Sequence, residues 1–347
     1  MDPKPTSRAQ FDASAARIAP PLERVRDDVW AVGMQMPGHG VPYSLLYLLR
    51  DTHGRFHVVD PGWESDANFA ALTGALESLG SSPSAVASIT ITHLHPDHIG
   101  MSERIRDVAG AVVQLHRRER EALRRHGGTS WAPDLLDRQL DAWGVPEGRR
   151  RELQDVASRT PALTEKSVDR VLEDDELLDI PGFEMIAMRT PGHTPGHISL
   201  RDDARGLLFT GDHLLPSMMG GIGLGGPTDT NALDDYLGGL QSIWPYPEHE
   251  VLPGHGYRFH GLRDRIAETA AHHLARSRQV AEVRRTRPDA STWQTAERLT
   301  WSRGWEGLSG FFLYSALWQT DIHTAFVEDG GLQRWWRFPR EDLSAGR

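Results

Sequence analysis

Thr92-His93-Leu94-His95-Pro96-Asp97-His98 is the stretch on which the fold turns. It follows an apolar, β-prone run, Ala85-Val86-Ala87-Ser88-Ile89-Thr90-Ile91, and places four potential metal ligands within six residues. Side chains two apart on an extended segment share a face, so His93 and His95 point the same way. A turn at Pro96 then swings Asp97 and His98 toward a second point. One short loop can therefore serve two cations lying close together, an arrangement suited to metal-assisted hydrolysis. The plain alternative is a histidine-rich surface loop, since the chain carries 17 His in 347 residues. Partners elsewhere in the chain decide between the two.

Three partners follow in order, each at the end of an apolar run. The first is Met185-Ile186-Ala187-Met188-Arg189-Thr190-Pro191-Gly192-His193-Thr194-Pro195-Gly196-His197. The second is Leu207-Leu208-Phe209-Thr210-Gly211-Asp212-His213, and the third is Glu250-Val251-Leu252-Pro253-Gly254-His255-Gly256. Each reads as a short strand entering a glycine-containing turn that brings a histidine or aspartate close to the ions. Strand ends converging on one rim make a site of loops over a rigid sheet.

With Val58-Val59-Asp60-Pro61-Gly62 added, the five segments resemble the motifs of the metallo-β-lactamase fold superfamily, spread over roughly residues 25–260. The resemblance implies an α/β protein, a four-layer αββα sandwich. It further implies that His93, His95 and His193 hold one metal. Asp97, His98 and His255 would hold the other, with Asp212 bridging. Asp60 resembles the family's buried structural aspartate, which braces the ligand loops. The chain has no cysteine, unlike the β-lactamase subclasses with a thiolate ligand. His95 stands where the flavo-diiron oxidase branch carries a glutamate. Imidazole and carboxylate donors suit two Zn²⁺ ions, and Fe or Mn would also be accommodated.

The chemistry so implied is hydrolysis. A water bridging both metals has its pKa lowered from about 15.7 toward roughly 7. Asp97 and Asp212 are the candidate catalytic carboxylates, orienting that water and taking its proton. His197 reads either as a side chain hydrogen-bonded behind the ligands or as packing. His213 should face away from the metals, because neighbours on an extended segment point to opposite sides.

Composition bounds the partners. No run approaches the roughly 18 apolar residues of a membrane span, and no basic-then-apolar leader is evident, so a cytoplasmic location is expected by default. A net charge of −10 argues against nucleic acid without excluding it. From Tyr257 onward, however, 14 arginines face 11 acidic residues. A homodimer is compatible with the sequence.

The expected organisation is an N-terminal arm (1–20), a catalytic domain (21–260) and a C-terminal extension (261–347). Within the catalytic domain, 117–160 reads as an inserted helical unit, with helices at Arg117–Arg125 and Leu135–Trp143. It is the candidate lid, bearing Trp131 and Trp143, although both tryptophans also fit an ordinary core. The glycine-rich stretch 216–227 should line the substrate pocket, with Met218 and Met219 as a soft apolar wall. A helix over Asn231–Ile243 follows. In the extension, Leu262–Arg285, Thr292–Leu299 and Phe311–Phe326 read as helices, and Gly330–Trp335 as a turn and strand. Helices closed by such a strand resemble the winged-helix-like appendage of some superfamily members.

Two functions are carried forward as enzymes, and one as a binder. The leading one is dinuclear hydrolysis of a small ester, thioester or lactone, resembling glyoxalase II in its metal motifs. The others are a phosphodiesterase or endoribonuclease of the same fold, and a non-enzymatic metal-bearing binding protein.

Overall fold

The computed structural model describes residues 3–38, 40–126, 133–159 and 168–339. From the N-terminus run β1 (Lys4–Pro5), α1 (Arg8–Ala16), β2 (Glu23–Arg26), β3 (Val29–Gln35), β4 (Tyr43–Arg50) and β5 (Phe56–Val59). Then come α2 (Asp66–Ser78), β6 (Val86–Ile91), α3 (Pro96–Ile99), α4 (Ser102–Ala109) and β7 (Val112–His116). Three helices follow, α5 (Arg117–His126), α6 (Pro133–Ala142) and α7 (Glu147–Arg159), before β8 (Arg170–Leu172). The second half holds β9 (Glu176–Leu177), β10 (Met185–Arg189), β11 (Ile198–Asp202), β12 (Leu207–Gly211), α8 (Ala232–Ile243), β13 (Glu250–Pro253) and β14 (Phe259–His260). The last elements among the described residues are α9 (Leu262–Thr286), α10 (Thr292–Ala296), α11 (Gly310–Glu328) and α12 (Gly331–Arg334).

Two sheets result, one in the order β2-β3-β4-β5-β6-β7-β8 and one in the order β1-β14-β13-β12-β11-β10-β9. Strand β4 shows why they stack. Its Tyr43, Leu45, Tyr47 and Leu49 enter the core between the sheets with Leu200, Phe209 and Leu252. The alternate residues Leu46 and Leu48 pack against Leu72 and Leu76 of α2. A strand apolar on both faces must be covered on both. The far face of the second sheet, through Leu208 and Val251, packs on Leu237 and Leu240 of α8 and Ile266 of α9. The order of layers is therefore helix, sheet, sheet, helix, as expected. Each leucine so buried contributes about 1.5–3 kcal/mol.

Strand direction places the site. Strands β5, β6, β7 and β8 pair in parallel, so Asp60 and the His93–His98 loop leave neighbouring strands at the same edge. Strand β12 pairs parallel with β13, while β11 runs antiparallel to both β10 and β12. The carboxyl ends of β10, β12 and β13, which lead to His193, Asp212 and His255, thus share one rim.

In the peripheral segments one expectation is overturned, and elsewhere the packing selects between readings that the sequence leaves open. The N-terminal arm is packed: Lys4 and Pro5 pair with His260 and Phe259, and the Ser7 hydroxyl caps α1 by accepting from the Gln10 N–H. The strand expected over Gly330–Trp335 is instead α12. Gly330, at φ +73°, ends α11 in the left-handed region and the chain restarts as a helical turn. Leu332 and Trp335, three apart, then share a face and pack beside Phe326. No strand follows β14 among the described residues, so no wing forms there. Trp143 is core, 1% exposed, among Leu136, Leu140, Leu153 and the α11 residues Tyr314, Leu317 and Trp318. Helices α6 and α7 are thereby joined to α10 and α11 in one helical unit, and Trp143 does not reach the metal rim as a lid residue would. Trp131 lies outside the described residues.

Candidate metal centre

The rim gathers all seven expected donors. His93, His95, His193 and Asp212 form one group and Asp97, His98 and His255 a second, with the donor atoms of each within 4.8 Å of one another. Asp212 faces both groups: its Oδ2 lies 3.6 Å from His193 Nε2 and 3.3 Å from His255 Nε2. Asp97 Oδ2 is 3.1 Å from His255 Nε2. His95 is the half-buried member, while the other six are buried.

Hydrogen bonds on the outer ring nitrogens decide which way each lone pair points. The His98 Nδ1–H donates to Asp60 Oδ2 at 2.8 Å, and the His193 Nδ1–H to the Gly221 carbonyl at 2.7 Å. The His255 Nδ1–H donates to the Tyr43 carbonyl at 2.7 Å, and the His95 Nε2–H to that of Leu224 at 3.3 Å. The Thr92 hydroxyl donates to Asp60 Oδ2, so it accepts from His93 Nδ1 at 3.0 Å. Every imidazole thus turns its other ring nitrogen inward, and on His93, His95 and His193, which burial keeps neutral, that nitrogen carries a lone pair. As a result His93 Nε2 and His95 Nδ1 face each other at 2.9 Å, and His193 Nε2 and His95 Nδ1 at 3.1 Å. Lone pairs that close repel unless a cation lies between them. The buried atoms His98 Nε2 and Asp212 Oδ1 also lack a hydrogen-bond partner among the described residues. This donor set fits divalent metal ions.

Electrostatics separates the two groups. Burial lowers the pKa of His93 and His95, and takes His193 down to about 4. Burial acts the same way on His98 and His255, but Asp212 and Asp97 outweigh it. They push His98 well above the usual histidine range and His255 up to about 10.

Three supports hold the donors in place. Asp60 accepts from the Thr92 N–H and hydroxyl, both at 2.7 Å, as well as from His98. It does so at φ +52°, a left-handed strain of about 1–3 kcal/mol that such a bonding role can sustain. His197 is not among the facing donors. Its Nδ1 bonds the Thr190 hydroxyl at 2.9 Å and its Nε2 accepts the Asp212 N–H at 3.2 Å, so it fixes the Asp212 backbone. Gly254 must be glycine: a Cβ there would lie 2.7 Å from His98 Cε1 and closer still to Asp212 Oδ1. His213 is turned away as expected, its ring 4.6 Å from that of Tyr236.

Glu119, in the first turn of α5, is a residue the sequence reading missed. Fully buried, it accepts from the Leu94 N–H at 2.7 Å and the Gly196 N–H at 2.6 Å. One carboxylate therefore ties the loop of His93 and His95 to the loop of His193. Burial pushes its pKa up to about 7, against the pull of those two donors. His116, the other strand-end histidine, bonds Asp174 at 2.9 Å and stays outside the cluster. Met218 and Met219 line a cavity beside α9 and α11, and none of the seven donors lines it.

Comparison with known proteins agrees with this geometry. A sequence model of the metallo-beta-lactamase superfamily matches residues 39–255. The probable metallo-hydrolase YqgX of Bacillus subtilis is 28% identical over 64% of this chain and 89% of its own. The hydroxyacylglutathione hydrolase of Pseudomonas putida is 29% identical over 70% of this chain and 73% of its own. Among solved structures, a metallo-beta-lactamase family protein of Thermus thermophilus superposes with a TM-score of 0.70 at 25% identity, covering 88% of this chain and 95% of that one. With the family match spanning most of the chain, strands of both sheets and all five motifs, this protein belongs to the metallo-beta-lactamase superfamily, as one of its metal-dependent hydrolases.

Proposed function

We propose that the protein hydrolyses a small ester, thioester or lactone at a dinuclear centre. The observation that carries this reading is Asp212, whose Oδ2 faces a donor of each group at 3.6 and 3.3 Å. His93, His95 and His193 would hold one ion, Asp97, His98 and His255 the other, and Asp212 both. Two divalent ions held by these residues, zinc by the nature of the donors, would supply polarisation of a carbonyl oxygen and a more acidic water. Asp97 and Asp212 would orient that water and accept its proton, each kept ionised by the histidines around it: burial opposes this, but His98 and His255 prevail and hold both carboxyls well below the usual carboxylate range. The half-buried side of His95 leaves a route for the substrate. A thioester is favoured within the class by the name of the P. putida relative.

The phosphodiester alternative draws less support. Much of the C-terminal arginine is occupied internally: Arg265 pairs with Glu268, Arg284 with Glu328 and Arg334 with Asp234. The test is turnover of thioester, lactone, β-lactam and single-stranded RNA panels by protein of known metal content, beside Asp212→Ala. We expect thioester hydrolysis abolished by chelation, and a variant that loses at least one ion and at least about a thousandfold in kcat. Full turnover by Asp212→Ala with both ions retained would remove the bridging role. A preference for RNA that collapses on raising salt would reverse the order of the two functions.

A further inference from the structure

A cavity of about 740 Å³ opens between the 218–221 loop, α9 and α11. Met219, Trp301 and Phe312 give it apolar walls, and Arg276, Arg303 and His273 give it nitrogen donors. No aspartate or glutamate lines it among the described residues, although the chain as a whole carries a net charge of −10. Both guanidiniums lie over aromatic faces, Arg276 4.0 Å from the Trp301 ring centroid and Arg303 4.4 Å from that of Phe312. A stacked guanidinium keeps its N–H edge available for a carboxylate or phosphate. Arg276 has no ion-pair partner among the described residues, and its Nη1 is buried without a hydrogen bond. His273 is 2% exposed and both its ring nitrogens are likewise unbonded. Buried donors left this way are costly unless something else satisfies them.

We propose that this cavity binds a small amphipathic anion, an acyl or aryl group ending in a carboxylate or phosphate. The apolar part lies on Met219 and Phe312, and the anionic end meets Arg276 and Arg303. The site is linked to the metal centre through Gly221, which lines the cavity and whose carbonyl accepts from His193 Nδ1 at 2.7 Å. The ligand is either the non-reacting end of the substrate or a separate molecule that acts on the centre. Only this link to turnover rests on the hydrolase reading; binding does not.

The test is calorimetric titration of the metal-loaded protein with octanoate, octyl phosphate and inorganic phosphate. The expected result is one saturable site for the two amphiphiles, weaker binding of inorganic phosphate, and about a tenfold or greater loss in Arg276→Gln and Arg303→Gln. Arg303 is exposed, so its variant folds even if Arg276→Gln does not. No saturable binding of either amphiphile overturns the proposal. So does binding that is unchanged in both variants, which would place the anion on the metals. With a turned-over thioester, octanoate that raises KM alone identifies the substrate's own end. Octanoate that changes kcat identifies a separate effector.

Discussion

Glu119 shows how much a single buried carboxylate can do for a site it does not enter. Its two oxygens accept the Leu94 and Gly196 N–H groups, so two donor loops far apart in sequence are tied to one side chain. In Glu119→Gln an amide N–H would face a backbone N–H in a closed space, at a cost of about 1–3 kcal/mol. We expect metal affinity at His93, His95 and His193 to drop about tenfold or more, with KM little changed, as read by competition with a chromophoric chelator. Affinity equal to the wild type would mean that the loops hold themselves. The seven donors and Asp60 are legible in the sequence because they fall in five short motifs, each directly after a strand. Glu119 is not: Arg117-Arg118-Glu119-Arg120-Glu121 reads as a solvated helix face, and only the approach of Gly196 to the start of α5 buries it.

At the scale of elements, the loop after β6 and the ends of β12 and β13 build a half-site that titrates differently from its neighbour. Without ions, His98 and His255 hold protons at pH 7, because Asp97 and Asp212 overcome the effect of burial. His93 and His193 are already neutral there. Loading the Asp97–His98–His255 half should therefore release about two protons, and loading the other half almost none. The affinity of the first half then falls as pH falls. Calorimetry in buffers of different ionisation enthalpy measures the count, and equal release from both halves would contradict it. In α9, burial takes His273 down to about 3 from an ordinary value near 6.5. The unfolded chain takes up a proton there that the folded one refuses, so stability falls as pH drops from about 6.5 toward about 3. His273→Leu should lose part of the drop in thermal midpoint between about pH 7 and about pH 5; an unaltered pH profile would show that this group does not contribute.

For the molecule as a whole, α6 and α7 form one structural unit with α10 and α11. Trp143 lies 5.5 Å from Tyr314 and 6.0 Å from Trp318, centroid to centroid. Trp143→Ala should cost about 3–5 kcal/mol in urea unfolding. Because Trp143 lies in a core separate from the one under the metal rim, metal content measured in the folded variant should be unchanged. Loss of metal would instead show that the helical unit braces the centre.

The sequence by itself showed the strand ends and the candidate donors that follow them, while the sandwich came from the resemblance of its five motifs to the superfamily. Alternation along strands and ligand spacing within loops are local properties, set by backbone geometry over a few residues. Only the tertiary structure decided that Glu119 joins two donor loops, that His197 holds the Asp212 backbone, that Trp143 is core and that Gly331–Arg334 is helical. These depend on which surfaces meet across large separations in sequence, and packing between distant segments leaves no periodic mark on either of them.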